Sequence, residues 1–209
     1  MNHSELCDLA VKWLKKPHSS GGPACQVAVS EIKSGWSGEI PDAIGFRYMG
    51  GEKELDGSFV VEVKTSRADF LADKRKPHRN GQTSGIGKWR FYLCPEGLIQ
   101  PDELPDQWGL LYVTKRKSVK GIVSPFTTTH YYQRRNLLND MSFDDRDLER
   151  ELFMLTRLLK RVGDVNELNK KMKELFHREQ RAIDKYNEIF PEYERLRRLE
   201  ISLKRKGII

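Results

Sequence analysis

The stretch SFVVEVKTSRADF, residues 58 to 70, constrains the fold more tightly than any other part of the chain. Phe59, Val60, Val61 and Val63 form an apolar, largely β-branched run that belongs deep in a sheet. Glu62 and Lys64 interrupt it, and residues two apart on a strand share a face, so an acid and a base stand together where a buried strand wants apolar side chains. Burying such groups is costly unless they are paired or hold an ion.

The flanking segments supply the remaining elements. SELCDLAVKWLKK has Leu6, Leu9, Ala10, Trp13 and Leu14 at helical spacing, with Ser4 as the expected N-cap. A strand is expected over 25 to 32, and IPDAIGFRYMG then leads into the valine-rich strand. TSRADFLADKRK reads as a helix capped by Ser66, with Asp69 at its third position and Pro77 ending it. NGQTSGIG, residues 80 to 87, reads as a loop. Further strands are expected near 89 to 94, 109 to 114 and 119 to 124. The order helix, strand, strand, strand, helix, strand predicts an α/β domain, a small mixed sheet flanked by helices, over residues 1 to 138.

From residue 139 the pattern becomes helical. Leu148, Leu152, Leu155, Leu159 and Val162 make one stripe, and Gly163 stops it. Asp164 and Glu167 start a second helix with Leu168, Met172, Leu175, Ile183, Tyr186, Phe190, Tyr193, Leu196 and Leu203 as its stripe; Pro191 is expected to bend or break it. Residues 139 to 209 thus read as a C-terminal hairpin of long helices. Its apolar stripes need cover, from the first domain or from a second copy in a homodimer.

No run of about 18 apolar residues is present to span a membrane. The N-terminus has no basic stretch followed by an apolar one, which points to the cytoplasm. Cys7, Cys25 and Cys94 are odd in number and widely spaced, and read as core thiols rather than disulfide partners or zinc ligands. A net charge of +7, with a pI near 9.3, suits a polyanionic partner.

Placed on this element order, the polar residues form a pattern. Val60, Glu62 and Lys64 alternate onto one face of their strand; Val27, Val29 and Glu31 do the same in the first strand, which places Glu31 on an inner face. Asp42 follows Pro41 at the start of the second strand. Three acids and a lysine can therefore meet at one end of the sheet. Close carboxylates repel unless a cation lies between them, and a hard cation such as Mg²⁺, with Mn²⁺ as substitute, takes oxygen ligands and leaves positions open for water and phosphate. Lys64 supplies a charge that can orient or deprotonate an attacking water. Taken singly, each residue has a plainer role: Asp after Pro is a turn residue, and Glu-x-Lys is an ion pair.

Pro41-Asp42, followed after residues 43 to 61 by Glu62-Val63-Lys64, resembles the PD-(D/E)XK superfamily of restriction-endonuclease-like nucleases. TSRADFLADKRK and KWRFYLCPEGLIQPDELPDQWGLLYV look like its branch of MmcB-type DNA-repair proteins and phage nucleases. The resemblance covers residues 3 to 125. It implies that Asp42 and Glu62 ligate Mg²⁺ through their side chains, that Val63 adds its carbonyl, and that Lys64 acts on water and phosphate. A further acid, Glu31 or Glu5, completes such sites. The implied activity is hydrolysis of DNA to 5′-phosphate and 3′-hydroxyl ends, in DNA repair, recombination or phage DNA processing.

Ser66, Asp69 and Asp73 are accounted for as capping and helix-surface residues. Lys74, Arg75, Lys76 and Arg79 in KRKPHR lie one helix beyond the site, where a phosphate backbone would pass, and Gln82, Lys88 and Trp89 are further candidates for the same groove. His78, alone in a basic loop, is a poor candidate for a base. GQTSGIGK lacks the spacing of a phosphate-binding loop and follows no strand. The competing reading is a nucleic-acid-binding or assembly subunit with the same fold and no turnover.

Overall fold

The computed structural model describes residues 1–32, 40–50, 52–73 and 84–206. Its centre is a mixed six-stranded sheet in sequential order: β1 (Val27–Ser30), β2 (Ala43–Arg47), β3 (Gly57–Val63), β4 (Trp89–Pro95), β5 (Trp108–Val113) and β6 (Val119–Val123). β1, β2 and β3 form an antiparallel meander, β3, β4 and β5 run parallel, and β6 returns antiparallel to β5. The chain passes from β3 to β4 through α2 (Arg67–Asp73), the crossover that a parallel pair requires. The α/β expectation therefore holds, strand by strand.

The two faces of the sheet carry different loads. On one, Leu6, Ala10, Trp13 and Leu14 of α1 (His3–Lys15) pack on Phe59, Val61 and Val63 of β3 and on Trp89, Phe91 and Leu93 of β4. Trp13 meets Phe91 edge-on at 5.1 Å. Full burial of each such side chain contributes about 2 kcal/mol, so this face supplies most of the cohesion. On the other face, Phe70 of α2 stands edge-on to Tyr92 at 5.3 Å, and Tyr92 stacks on Trp108 at 4.4 Å. Glu62 and Lys64, alternating with Val61 and Val63, fall on this second face.

α1 begins earlier than its sequence pattern indicates. Asn2, rather than Ser4, is the N-cap, because its side chain accepts the Glu5 amide while the Glu5 carboxylate returns to the Asn2 amide. Ser66 does cap α2, accepting from the Asp69 amide at 3.2 Å. α3 (Tyr131–Asp140), which the residue pattern does not announce, places Leu138 in the core, where its carbonyl accepts the Trp89 indole N–H at 2.7 Å.

α4 (Leu148–Val162) and α5 (Val165–Arg205) follow. The compact units divide between Arg157 and Leu158, beyond the expected boundary at 138, because α3 and the first part of α4 contribute to the sheet domain. The anchor in α4 is Glu151: its Oε1 accepts from Ser58 Oγ at 2.7 Å and from the Gly87 amide at 2.8 Å. Met154 is also buried, whereas Leu148, Leu152 and Leu159 of the expected stripe face solvent. Gly163, at φ +72°, and Asp164, which accepts the Asn166 and Glu167 amides, form the turn between α4 and α5 as the sequence indicates. Pro191 sits inside α5 without breaking it. Among the described residues no helix is long and apolar enough to cross a membrane.

Candidate active site at the end of β3

The ladder between β2 and β3 ends at the pair Ala43↔Val61, and Asp42 and Glu62 are the next residues along the two strands. Asp42 closes this end of the sheet: its Oδ2 accepts the Val63 amide at 2.7 Å, and its Oδ1 lies 3.1 Å from Nε2 of His3 on α1. The side chain stays partly accessible, at 18% exposure. Glu62 and Lys64 are almost wholly buried.

Lys64 is held from the helix side. Its Nζ is 3.2 Å from Oδ1 of Asp73, 3.8 Å from Oε2 of Glu62 and 4.0 Å from Oδ1 of Asp69. Asp73 is itself buried and accepts the Tyr92 hydroxyl at 2.8 Å. The short helix α2 explains the arrangement. Phe70 and Asp73 are three residues apart and share a face, so seating Phe70 against Tyr92 carries the Asp73 carboxylate down to Lys64. Asp73 thus belongs to the buried cluster, not to the helix surface. Its spacing from Phe70 is the signal in the sequence; Tyr92 has none, being one aromatic residue in an apolar strand.

Electrostatically, the carboxylates of Glu62, Asp69 and Asp73 gather within 4.0 Å of the Lys64 ammonium. Their reach shows at Cys7, a buried thiol on α1 whose Sγ is 3.5 Å from Nδ1 of His3. Burial first, then the charges of Asp42, Glu31, Asp8 and Glu62, push this thiol up to about 12. His3, Cys7 and Asp42 also bring one ligand atom each within 4.8 Å of one another. All three cysteines are free and buried, as expected of core thiols.

Glu31 is placed differently from its strand pattern. It lies just beyond β1 with φ +51° and is exposed, although its amide still donates to the Asp42 carbonyl at 3.2 Å. The left-handed backbone breaks the alternation with Val27 and Val29, and Val27 is itself exposed while Ala28 faces the core. Glu5 is occupied elsewhere. Besides the helix cap it binds Lys117 at 3.1 Å, and the Asn2 amide first and Lys117 second hold its carboxyl below the usual range.

Lys88 is not a groove residue. Its ammonium donates to the carbonyls of Lys53, Glu54 and Asp56 and sits 4.6 Å from the Trp89 ring centre, fastening the turn before β3. Trp89 is fully buried in the core. Lys74, Arg75, Lys76, Arg79 and Gln82, like Pro77 and His78, lie outside the described residues.

Neither a family model nor a curated protein matches the sequence. Among solved structures the chain is similar to the SPO1766 protein of unknown function from Silicibacter pomeroyi, at 18% identity over 81% of this chain and 94% of that one, with a TM-score of 0.43. A likeness of that degree carries no functional argument.

Proposed function

We propose that this chain is a metal-dependent deoxyribonuclease of the PD-(D/E)XK kind. The observation that carries the reading is that Asp42 and Glu62 are the residues next beyond the last pair of the β2–β3 ladder, with the Lys64 ammonium 3.8 Å from the Glu62 carboxylate. Carboxylates at neighbouring strand ends are hard oxygen donors, the kind that a divalent cation such as Mg²⁺ or Mn²⁺ takes.

In this reading the carboxylates of Asp42 and Glu62 and the carbonyl of Val63 hold the ion. The bound ion supplies Lewis-acid polarisation of a phosphodiester and lowers the pKa of a bound water. The protein's own share is positional. Asp42, tied to the Val63 amide, fixes the strand end to which the ligands belong. Lys64 places a positive charge beside Glu62, where it can orient a water and stabilise charge on phosphate oxygens. Asp73, itself held by the Tyr92 hydroxyl, keeps that ammonium in place. Water attacks phosphorus, a P–O bond forms and a water proton is released, the bond to the 3′ oxygen breaks and that oxygen takes up a proton, and the ends left are 5′-phosphate and 3′-hydroxyl.

The test is cleavage of mixed DNA substrates, duplex, single-stranded and branched, across Mg²⁺ and Mn²⁺ titrations with a chelator control. Cleavage that requires the cation supports the reading. DNA retained without cleavage under every metal condition would replace it with that of a binding subunit.

A further inference from the structure

α5 spans 41 residues, about 60 Å, and none of them is buried. A helix that leaves so much apolar surface in water needs a partner along its whole length. The spacing of its residues says what shape the partner has. Leu168, Leu175, Ala182, Ile189, Leu196 and Leu203 recur every seven residues, and Met172, Glu179, Tyr186, Tyr193 and Glu200 recur every seven between them. These are the d and a positions of an unbroken heptad series, the pattern of a two-helix coiled coil. Phe176, Ile183 and Phe190 widen the stripe on the e side, and Tyr186 stacks on Phe190 at 5.2 Å. Pro191 falls at f, on the back of the helix, where it does not disturb the seam.

We infer that α5 pairs with α5 of a second copy as an antiparallel coiled coil centred between Asn187 and Glu188. A parallel, in-register pair would set Glu179 against Glu179 and Glu200 against Glu200 in the seam. It would also bring Lys171, Arg178 and Lys185 at g against Phe176, Ile183 and Phe190 at e, leaving Glu192 with Arg197 as its favourable charge pair at the flanks. That arrangement has repulsion in the core and apolar e residues facing charge. The antiparallel register about residues 187 and 188 removes the Glu–Glu contacts of the seam and, at its centre, the mismatch of apolar e with basic g residues. Tyr193 faces Ala182 of the second copy, a large side chain against a small one. Tyr186 faces Ile189, and Met172 faces Leu203. At the flanks e meets e and g meets g, so Phe190 comes to Ile183 and Lys185 comes to Glu192, and the symmetry makes both pairs twice. Glu179 comes beside Arg197 of the second copy, and Glu200 is already bonded to Lys204 on its own helix at 2.6 Å.

Sedimentation equilibrium on the full chain, with circular dichroism to separate loss of helix from loss of pairing, tests this. The wild type is a dimer at micromolar concentration. Lys185→Glu and Glu192→Lys each place like charges at two equivalent sites and raise the dissociation constant by roughly tenfold. The double variant K185E/E192K restores the wild-type constant. A monomer throughout the micromolar range overturns the inference, as does a dimer that ignores the single changes or a double variant weaker than either.

Discussion

The ammonium of Lys64 lies 3.2 Å from the Asp73 carboxylate, an ion pair between the end of strand β3 and helix α2 in which both side chains are almost fully buried. It ties the lysine of the cluster to the element that crosses between two parallel strands, so the position of that base and the packing of α2 depend on the same pair. Removing one partner of a buried pair leaves an uncompensated charge. Lys64→Ala should therefore lower unfolding stability by about 3–5 kcal/mol and slow cleavage by at least about 10²-fold. Chemical denaturation and single-turnover rates measure the two effects separately. Wild-type stability in this variant would mean that the pair contributes nothing to folding.

Tyr92→Phe tests the next link outward. It keeps the ring that packs on Phe70 and Trp108 and removes the hydroxyl donated to Asp73. A hydrogen bond to a charged acceptor contributes about 1.5–3 kcal/mol, and the loss should appear in urea denaturation with a slower turnover and unchanged affinity for the metal. A variant indistinguishable from wild type would mean that Asp73 is fixed without Tyr92.

Lys88 and the basic segment of residues 74 to 79 should behave in opposite ways. Lys88→Met leaves three carbonyls of the turn before β3 without their donor and should cost about 2 kcal/mol of stability, with no change in how DNA affinity depends on salt. Alanine at Lys74, Arg75, Lys76 and Arg79 should leave stability unchanged and reduce the log-log salt slope by roughly 0.9 for each duplex phosphate that these side chains neutralise. Filter binding across a salt series separates them. A quadruple variant with the wild-type slope would place the groove elsewhere.

The strand order is legible in the sequence because the strands are set off by turn residues and β3 carries its apolar run in one piece. Asp42, Glu62 and Lys64 stand out because polar residues at such a run violate the local pattern. Asp73 is easily passed over because capping and surface roles explain an acid on a short helix completely; its three-residue spacing from Phe70 is the one sign that it shares the buried face. Glu31 escapes a sequence reading because a left-handed residue after β1 breaks the alternation without glycine to mark it. Lys88 illustrates a general limit: whether a lysine beside a loop points to solvent or to backbone carbonyls depends on where a distant turn returns, here that of residues 53 to 56.

His18 should make stability depend on pH. Burial first, then the charges of Arg134 and Arg47, hold its imidazole below the ordinary value of 6.5. The ring stacks on Phe126 and its Nε2 lies 3.2 Å from the Pro23 carbonyl and 3.3 Å from the Arg47 guanidinium. The unfolded chain therefore binds the proton more readily than the folded one, and stability falls as pH drops below 6.5 toward the lower folded value. Melting temperatures from about pH 7.5 to 5 should show this slope, and His18→Gln should flatten it. An unchanged slope in the variant would assign the titration to another group.

The most direct measurement is cleavage of supercoiled and linear DNA in saturating Mn²⁺ by the wild type, Asp42→Asn and Glu62→Gln, each verified as folded. These substitutions keep shape and remove one ligand charge apiece, in a site with few protein ligands. The wild type should cut, leaving 5′-phosphate ends, and both variants should fall to the level of the chelator control. Cutting by both variants at the wild-type rate would contradict the assignment of the Asp42–Glu62 site as the catalytic centre.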